Sequence, residues 1–259
     1  MILFFDSGVG GLVYMEEFQR REPSRSCLYV ADDAMFPYGE KEPGIVRDRV
    51  VSIVHAAMHQ YPVDAIVVAC NTASVVALEA LRHAVRVPVV GTVPAVKPAV
   101  ALTRTGHIAV LATNQTANDP YTDDLVQQFA KIVRVSRRGL PRLVSAAEHY
   151  QCSRDDDQIR HVITHEVSPH LEDDVDTIVL ACTHFVRFRT HFTDVLGDRV
   201  RVVDSLDGVT RRLIDVLPER SGYPRSVEPP RVLRTGSSSR AFCDYNGSVP
   251  WVVLPGVSP

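Results

Sequence analysis

Two cysteines stand in nearly the same sequence context, about a hundred residues apart. Cys70 ends the segment DAIVVAC and Cys182 ends DTIVLAC, so five of the seven positions are identical. Each cysteine closes an apolar run typical of a buried strand, and Thr72 or Thr183 follows closely. A thiol has an unperturbed pKa of about 8.5, so either protonation state is accessible near neutral pH. The repeat therefore indicates a pair of acid–base groups.

Two such groups can invert a carbon atom that carries a hydrogen. One group removes the proton from one face, and the other supplies a proton to the opposite face. This chemistry is that of a two-base racemase or epimerase. Two alternatives remain open. Either cysteine alone is a small buried apolar residue, or one of them is the nucleophile of a thiol hydrolase or amidase, with His184 as its base.

Short polar side chains accompany both cysteines and the ends of other strand-like runs. Ligands of parallel α/β sheets bind beyond the carboxyl ends of the strands. A helix that begins after either cysteine directs backbone N–H groups and a positive dipole toward that place. His184 lies two residues after Cys182, where it can act as a proton partner. The polar residues that this pattern selects are Asp6, Ser7, Asn71, Thr72, Thr113 and Thr183.

The elements that must position these residues alternate between strands and helices. Three segments show apolar residues at helical spacing, at 44–61, 73–85 and 121–133. Strand–helix alternation predicts parallel sheets with crossover helices, and hence an α/β fold. Seven continuously apolar runs predict strands buried on both faces, at 2–6, 26–32, 65–70, 87–92, 107–113, 177–182 and 201–204.

The repeated strand–Cys–Thr unit predicts two similar halves, and FFDSG near the start of the chain is echoed by VVDSL at 202–206. We place the first α/β domain at 1–94 plus 207–259, and the second at 95–206. The Pro-, Ser- and Gly-rich segment 218–240 is predicted to be a loop-rich C-terminal extension. The basic residues at 134–138 are predicted to form solvated loop or helix surface.

Composition excludes several classes of protein. The chain has 259 residues, a hydrophobic fraction of 45% and a net charge of -3, with mixed signs, so no nucleic-acid groove or membrane patch is expected. GVGGLV at 8–13 lacks the third glycine of a dinucleotide motif, because Val13 stands there. The histidines lack zinc-site spacing. Five cysteines without a CxxC or a signal peptide favour free thiols in the cytoplasm.

Seven motifs run in order along nearly the whole chain: FFDSGVGGL (4–12), YVADDAMFPYGEK (29–41), ACNTAS (69–74), VPVVG (87–91), ACTHF (181–185), VVDS (202–205) and RTGSSSRAF (234–242). In type, order and spacing they resemble the motifs of the cofactor-independent glutamate racemases, in the aspartate/glutamate racemase superfamily. The resemblance implies two pseudo-symmetric α/β domains, each with a mainly parallel sheet flanked by helices, and an active site in the cleft between them.

The resemblance also implies roles for individual residues. Cys70 and Cys182 exchange the α-proton of glutamate from opposite faces, Asp6 assists one thiol, and His184 and Glu148 assist the other. No cofactor or metal is implied, the partner is the small-molecule substrate, and a homodimer is compatible with it. Further substrate contacts fall on Ser7, Tyr38, Gly39, Asn71, Thr72, Thr113, Thr116 and Thr183, beside Asp6 and His184.

The sequence departs from the family pattern in loops, at ADD (31–33), TVPAVKP (92–98), FVRFR (185–189) and Leu140. None of these changes removes a proton-transfer group, so we expect a glutamate racemase that supplies D-glutamate for peptidoglycan, and hence for the cell wall and cell shape. The alternatives are a racemase of aspartate or another acidic amino acid, and a catalytically silent ligand-binding or regulatory relative.

Overall fold

The structure is a computed structural model that describes residues 1–218, 229–236 and 249–257. The chain divides into two compact units, Met1–Thr92 with Leu206–Pro259, and Val93–Ser205. In chain order, the strands of the described residues are β1 Ile2–Asp6, β2 Cys27–Ala31, β3 Ala65–Val68, β4 Val89–Gly91, β5 His107–Ala112, β6 Arg134–Gly139, β7 Thr177–Ala181, β8 Arg201–Val203, β9 Arg231–Arg234 and β10 Val252–Val253.

Helices separate most of these strands, as expected for crossover connections. The described residues also include two single 3₁₀ turns, at Tyr38–Glu40 and Ser168–His170. The α-helices of the described residues are α1 Leu12–Arg21, α2 Pro43–Gln60, α3 Asn71–Ala84, α4 Val96–Leu102, α5 Asn114–Asn118, α6 Pro120–Phe129, α7 Pro141–Ser153, α8 Asp156–Glu166, α9 Thr183–Val186, α10 Arg189–Leu196 and α11 Leu206–Val216.

The first unit is built on a parallel sheet with strand order β10-β9-β2-β1-β3-β4. All five residues of β1 are buried, because both faces of the sheet are covered. Phe4 packs against Phe18 of α1, with ring centroids 5.8 Å apart, while Phe5 faces Tyr38 at 6.3 Å. Covered faces explain why the strand is apolar throughout rather than alternating.

The second unit has its own parallel sheet, in the order β6-β5-β7-β8. The register pairs Ala112 of β5 with Ala181 of β7. Thr113 and Cys182 are the next residues of the two strands, so both lie at the carboxyl edge of this sheet. The two parallel sheets with flanking helices confirm the predicted fold class.

One prediction about local structure was wrong, and one strand was not predicted. The basic segment at 134–138 is not loop or helix surface but belongs to β6, an outer strand of its sheet. Charge on an outer strand discourages pairing with another chain, which explains why the strand lacks the apolar signature. Within the segment 218–240, predicted to be loop-rich, the structure adds the short strand β9, in which Val232 and Leu233 are buried and which pairs with β2. Residues 219–228 and 237–240 lie outside the described part.

None of the three buried cysteines Cys27, Cys70 and Cys182 forms a disulfide, as predicted. Cys152 departs from that prediction, because it is disulfide-bonded. Cys243 lies outside the described residues.

Asp176 anchors the turn that precedes β5. Its carboxylate accepts hydrogen bonds from Thr103 Oγ1 at 2.6 Å, from the N–H groups of Arg104 and Thr105 at 2.6 and 3.0 Å, and from Thr177 Oγ1 at 2.9 Å. Burial would raise the pKa of Asp176, but these hydrogen bonds outweigh it and lower the pKa to about 2. The charged carboxylate therefore stabilises this end of the second sheet.

We expect Asp176→Asn to lower the free energy of unfolding by about 1–2 kcal/mol at pH 7, because an amide cannot accept all four donors. The folded pKa lies below the unfolded value, near 3.9, so the stabilisation is present above pH 4. It is lost as the pH falls from about 4 to about 2. Urea titrations at pH 7 and pH 3 measure this difference. Asp198→Asn, at an exposed position, is the control and should leave both midpoints unchanged.

Candidate functional site

In the first unit, Asp6 and Cys70 lie at the carboxyl ends of neighbouring strands. Asp6 is the last residue of β1, and Cys70 follows β3, which pairs with β1 in parallel. Ala69 N–H donates to the carbonyl of Phe5 at 2.7 Å, so the pairing continues up to the cysteine. The predicted convergence of these two residues is thus found at one edge of one sheet.

The Asp6 carboxylate is fully buried and held by backbone donors. The N–H of Ser7 donates to Oδ1 at 2.6 Å, and the N–H of Gly11 donates to Oδ2 at 2.5 Å. A Cβ at residue 11 would lie 2.6 Å from the carbonyl oxygen of Ala69, so glycine allows this close approach. The glycine-rich segment after β1 is therefore a tight turn around a carboxylate.

Ser7 connects this carboxylate to the Cys70 thiol. Its Oγ lies 3.4 Å from Asp6 Oδ1 and 3.8 Å from Cys70 Sγ. A hydroxyl can both donate and accept, so it can donate to a thiolate or accept from a thiol. The three side chains form an acid–base chain that adapts to either protonation state of the sulfur.

Cys70 precedes the first turn of α3, a helix of 14 residues, and has an extended backbone. The positive end of the helix dipole favours negative charge on the sulfur. Asn71 and Thr72 follow in the first turn, and each is only 2% exposed. Neither side-chain amide atom of Asn71 has a hydrogen-bond partner in the described residues. A buried amide without a partner among the described residues is available to hydrogen-bond a polar ligand beside Cys70.

Tyr38 and Gly39 belong to the 3₁₀ turn that precedes α2. The hydroxyl of Tyr38 donates to Asp32 Oδ2 at 2.6 Å. Burial raises the pKa of Tyr38 well above its ordinary value, and the charges of Asp32 and Cys70 raise it further. Tyr38 therefore remains a protonated donor, and its ring lies in the same apolar cluster as Cys70.

In the second unit, Cys182 follows β7 and precedes α9. Thr183 and His184 come next, with 1% and 4% exposure. His184 Nδ1 lies 3.9 Å from Cys182 Sγ, and its Nε2 lies 2.7 Å from Glu148 Oε2. Glu148 is on α7, so the structure joins residues that are far apart in the sequence into a carboxylate–imidazole–thiol chain.

Burial alone would lower the pKa of His184, but its hydrogen bonds with Cys182 and Glu148 and their negative charges raise it well above the ordinary value. The imidazolium form is therefore favoured. An imidazolium beside a thiol stabilises the thiolate, and a carboxylate on the far ring nitrogen orients the ring. The chemistry available at Cys182 is proton transfer by a thiolate–imidazolium pair.

Thr113 and Thr116 lie at the same edge of the second sheet, around the start of α5. Thr113 Oγ1 accepts from the N–H of Thr116 at 3.1 Å and donates to Thr116 Oγ1 at 3.1 Å. The pair caps the helix and places two hydroxyl groups beside the strand end. The structure thus groups the predicted residues into one cluster in each unit.

Residue-by-residue reasoning missed Asp32, Arg49 and Thr235, whose side chains meet next to Tyr38. The run ADD at 31–33 was the available signal, because two consecutive acidic residues after an apolar strand are unusual. Glu148 was supplied by the family resemblance alone.

The structure also shows the contacts made by residues at the other departures from the family pattern. In 185–189, Phe185 and Phe188 are buried, and Arg189 pairs with Asp204 at 2.6 Å. In 92–98, Thr92 donates to the carbonyl of Val68 from both its N–H and its hydroxyl. Leu140 is buried before the first turn of α7.

The described residues contain no group of three or more His, Cys, Asp or Glu side chains arranged for a metal ion. They also contain no helix with both the length and the hydropathy that a membrane crossing requires.

Comparisons with known proteins agree on a single family. A model of the Asp/Glu/Hydantoin racemase family matches residues 14–213. The chain is 42% identical over 218 residues to a glutamate racemase of Treponema pallidum, covering 84% of this chain and 81% of the relative. It is 41% identical over 223 residues to a glutamate racemase of Shewanella loihica, covering 85% and 83%.

Solved structures give the same result. The crystal structure of Escherichia coli glutamate racemase, in complex with L-glutamate and the activator UDP-MurNAc-ala, superposes with a TM-score of 0.83 at 36% identity. That alignment covers 93% of this chain and 90% of the E. coli chain. The Thermus thermophilus glutamate racemase, in complex with beta-chloro-D-alanine, gives a TM-score of 0.72 at 27% identity, with 93% and 90% covered.

Proposed function

Because the chain belongs to the Asp/Glu/Hydantoin racemase family and is an isomerase whose relatives are glutamate racemases, we propose that it interconverts L-glutamate and D-glutamate with two thiols. Cys70 and Cys182 each serve one face of the α-carbon, and no cofactor takes part. The observation that carries this proposal is that each thiol is linked to a buried carboxylate through one polar side chain. Ser7 links Cys70 to Asp6, and His184 links Cys182 to Glu148.

The reaction transfers one proton in each half. A thiolate at one cysteine takes the α-proton, which leaves the bonding electron pair on the α-carbon. The thiol of the other cysteine then donates its proton to the opposite face. Both cysteines end in the opposite protonation state from the one in which they began, so the enzyme is set for the reverse direction until solvent exchange resets it. A thiol serves both roles because its unperturbed pKa of about 8.5 lies close to the working pH.

The polar residues around the cysteines supply the substrate contacts in this proposal. Asn71 and Thr72 lie next to Cys70, Thr183 lies next to Cys182, and Thr113 and Thr116 occupy the same strand edge as Thr183. Ser7 and the Tyr38–Gly39 turn complete the set. The E. coli relative, 36% identical, was solved with L-glutamate, which supports this substrate.

We expect Asn71→Ala to raise KM for glutamate about 10-fold while leaving the melting temperature unchanged or slightly higher. The amide of Asn71 is buried without a partner in the described residues, so its removal costs no intramolecular hydrogen bond. Ser74→Ala is the matched control, because the Ser74 hydroxyl is buried and donates to Val68 O at 3.0 Å. That control should lower the melting temperature and leave KM unchanged. An unaltered KM in Asn71→Ala would exclude the amide from the substrate site.

The test of the proposed reaction is circular dichroism of purified protein with L-Glu, D-Glu, L-Asp and D-Asp in turn. The signals of both glutamate enantiomers should decay to zero, and aspartate should react at least about 100-fold more slowly. Faster decay with aspartate would transfer the proposal to the aspartate racemases. No decay with any of the four would favour a catalytically silent binding protein.

We extend the proposal to the cell: the enzyme acts in the cytoplasm and supplies D-glutamate for peptidoglycan. Its expression should restore growth of a bacterium that requires external D-glutamate. A Cys70→Ser/Cys182→Ser double variant, produced at the same level, should not restore growth.

A further inference from the structure

Asp32 is a buried carboxylate next to the proposed site. It follows β2, which pairs with β1, and its N–H donates to the carbonyl of Asp6 at 2.8 Å. Its exposure is 0%. A carboxylate at such a place needs hydrogen bonds and an opposite charge. Arg49 of α2 supplies both, through Nε at 3.0 Å and Nη2 at 2.9 Å.

Two further donors bring distant segments to the same carboxylate. The Tyr38 hydroxyl donates at 2.6 Å, and Thr235 Oγ1 donates at 2.5 Å. Tyr38 belongs to the turn that carries Gly39, while Thr235 directly follows β9 near the end of the chain. Asp32 therefore joins α2, the Tyr38–Gly39 turn and the C-terminal segment at one point.

This arrangement determines the hydrogen-bond partner of the Tyr38 hydroxyl. Its single proton is donated to Asp32, so it is not available to a ligand at the same time. The ring lies against Phe5, with centroids 6.3 Å apart, and is 1% exposed. Tyr38 is thus held at both ends, and its fixed position determines where the backbone of Gly39 lies.

The C-terminal segment, here residues 235–236, also contacts the loop 32–37, which connects β2 to the Tyr38–Gly39 turn. The N–H of Gly236 donates to Asp33 Oδ1 at 2.6 Å, and the N–H of Thr235 donates to the carbonyl of Ala31 at 3.1 Å. A Cβ at residue 236 would lie 3.0 Å from Asp33 Oδ2 and 3.1 Å from the nitrogen of Ala34. The segment 235–236 is therefore packed directly on the chain that leads to Tyr38.

We infer that Asp32 is a positioning residue for the substrate site. It fixes the Tyr38–Gly39 turn and makes the position of that turn depend on the C-terminal segment through Thr235. The inference rests on the proposed function, because it takes glutamate as the ligand of that turn. A displaced turn weakens glutamate binding more than it slows proton transfer, since the turn does not contribute a proton-transfer group.

The test compares Thr235→Val, which loses the donor to Asp32, with Thr235→Ser, which keeps it. For Thr235→Val we expect KM for D-glutamate to rise about 10-fold, which is the size of effect expected for the loss of one hydrogen bond to a charged group. We expect kcat to change less than about 3-fold. Thr235→Ser should restore KM to within about 2-fold of the wild type. Asp32→Asn should raise KM at least as much as Thr235→Val.

Thr210→Val is the matched control, because Thr210 is also 2% exposed in the same unit and donates from its hydroxyl to Leu206 O at 2.8 Å. It should lower the melting temperature without changing KM. Gly236→Ala perturbs the same loop independently, through its Cβ, and should also raise KM.

The outcomes separate the two proposals. An inactive wild type would refute the proposed function itself. An active wild type with unchanged KM in Thr235→Val, Asp32→Asn and Gly236→Ala would overturn the positioning role and leave the network purely structural.

Discussion

Replacing either Cys70 or Cys182 by serine should lower kcat/KM for racemisation in both directions by about 10²- to 10⁴-fold, the range for the loss of an acid–base group. Serine keeps the size and the hydrogen-bonding capacity of cysteine, but its hydroxyl neither ionises nor returns a proton near neutral pH. Because inversion needs one group on each face, neither cysteine can replace the other. Circular dichroism with each glutamate enantiomer measures the loss.

Cys27→Ser is the control for this experiment. Cys27 is also free and buried, but burial raises its pKa to about 12, so it has no accessible thiolate near neutral pH. Its replacement should leave kcat/KM within about 2-fold of the wild type. If Cys70→Ser or Cys182→Ser kept the wild-type rate, one thiol would suffice, and the two-base mechanism would be wrong. Dependence on a single cysteine, together with a trapped acyl-enzyme, would indicate a thiol hydrolase.

His184→Asn should lower kcat about 100-fold, and Glu148→Gln about 10-fold. The hydrogen bonds and charges of Cys182 and Glu148 raise the pKa of His184 against the effect of burial. In Glu148→Gln the charge of the carboxylate is lost, so the pKa of His184 falls. The imidazolium that supports the Cys182 thiolate then disappears at a lower pH. The alkaline limb of the kcat profile should therefore move toward lower pH in Glu148→Gln.

The same pair makes a contribution to stability that depends on pH in a defined direction. The folded pKa of His184 is raised, so its stabilising contribution is fully present below the unfolded value, near 6.5, and is lost as the pH rises through the folded value. Glu148→Gln should weaken this dependence in urea titrations across that range. His191→Asn is the control for the kcat profile, because His191 forms a comparable pair with Asp156, at 2.9 Å, on the surface of the same unit. It should leave the alkaline limb of that profile in place.

An unmoved alkaline limb in Glu148→Gln would contradict the role assigned to the carboxylate. In that case the hydrogen bond between Glu148 and His184 would hold the fold together without adjusting the proton affinity of the imidazole.

The sequence was most informative where a strand is buried on both faces. β1, β3, β5 and β7 are continuous apolar runs, because helices cover both sides of each sheet, and their ends locate Asp6, Cys70, Thr113 and Cys182. Local spacing was sufficient here, since parallel strands bring their carboxyl ends to one edge. It also placed His184 beside Cys182.

Elsewhere the decisive contacts connect residues that are distant in the chain. Glu148 meets His184 across 36 positions, and Thr235 meets Asp32 across 203, so no local pattern shows either pair. β6 was missed because an outer strand carries charges in place of apolar residues. β9 was missed because four strand residues stand within a segment rich in Pro, Ser and Gly.

The most direct test of the two-thiol mechanism is the isotopic content of the first product formed in D₂O. Wild-type protein should be incubated with protiated D-glutamate, stopped at about 5% conversion, and the two enantiomers separated for proton NMR. We predict that the L-glutamate product carries deuterium at the α-carbon while the remaining D-glutamate keeps its proton, because one thiol removes the proton and a different, solvent-exchanged thiol replaces it. L-Glutamate that retains the original proton would show that a single group carries it from face to face, and would contradict the mechanism proposed for Cys70 and Cys182.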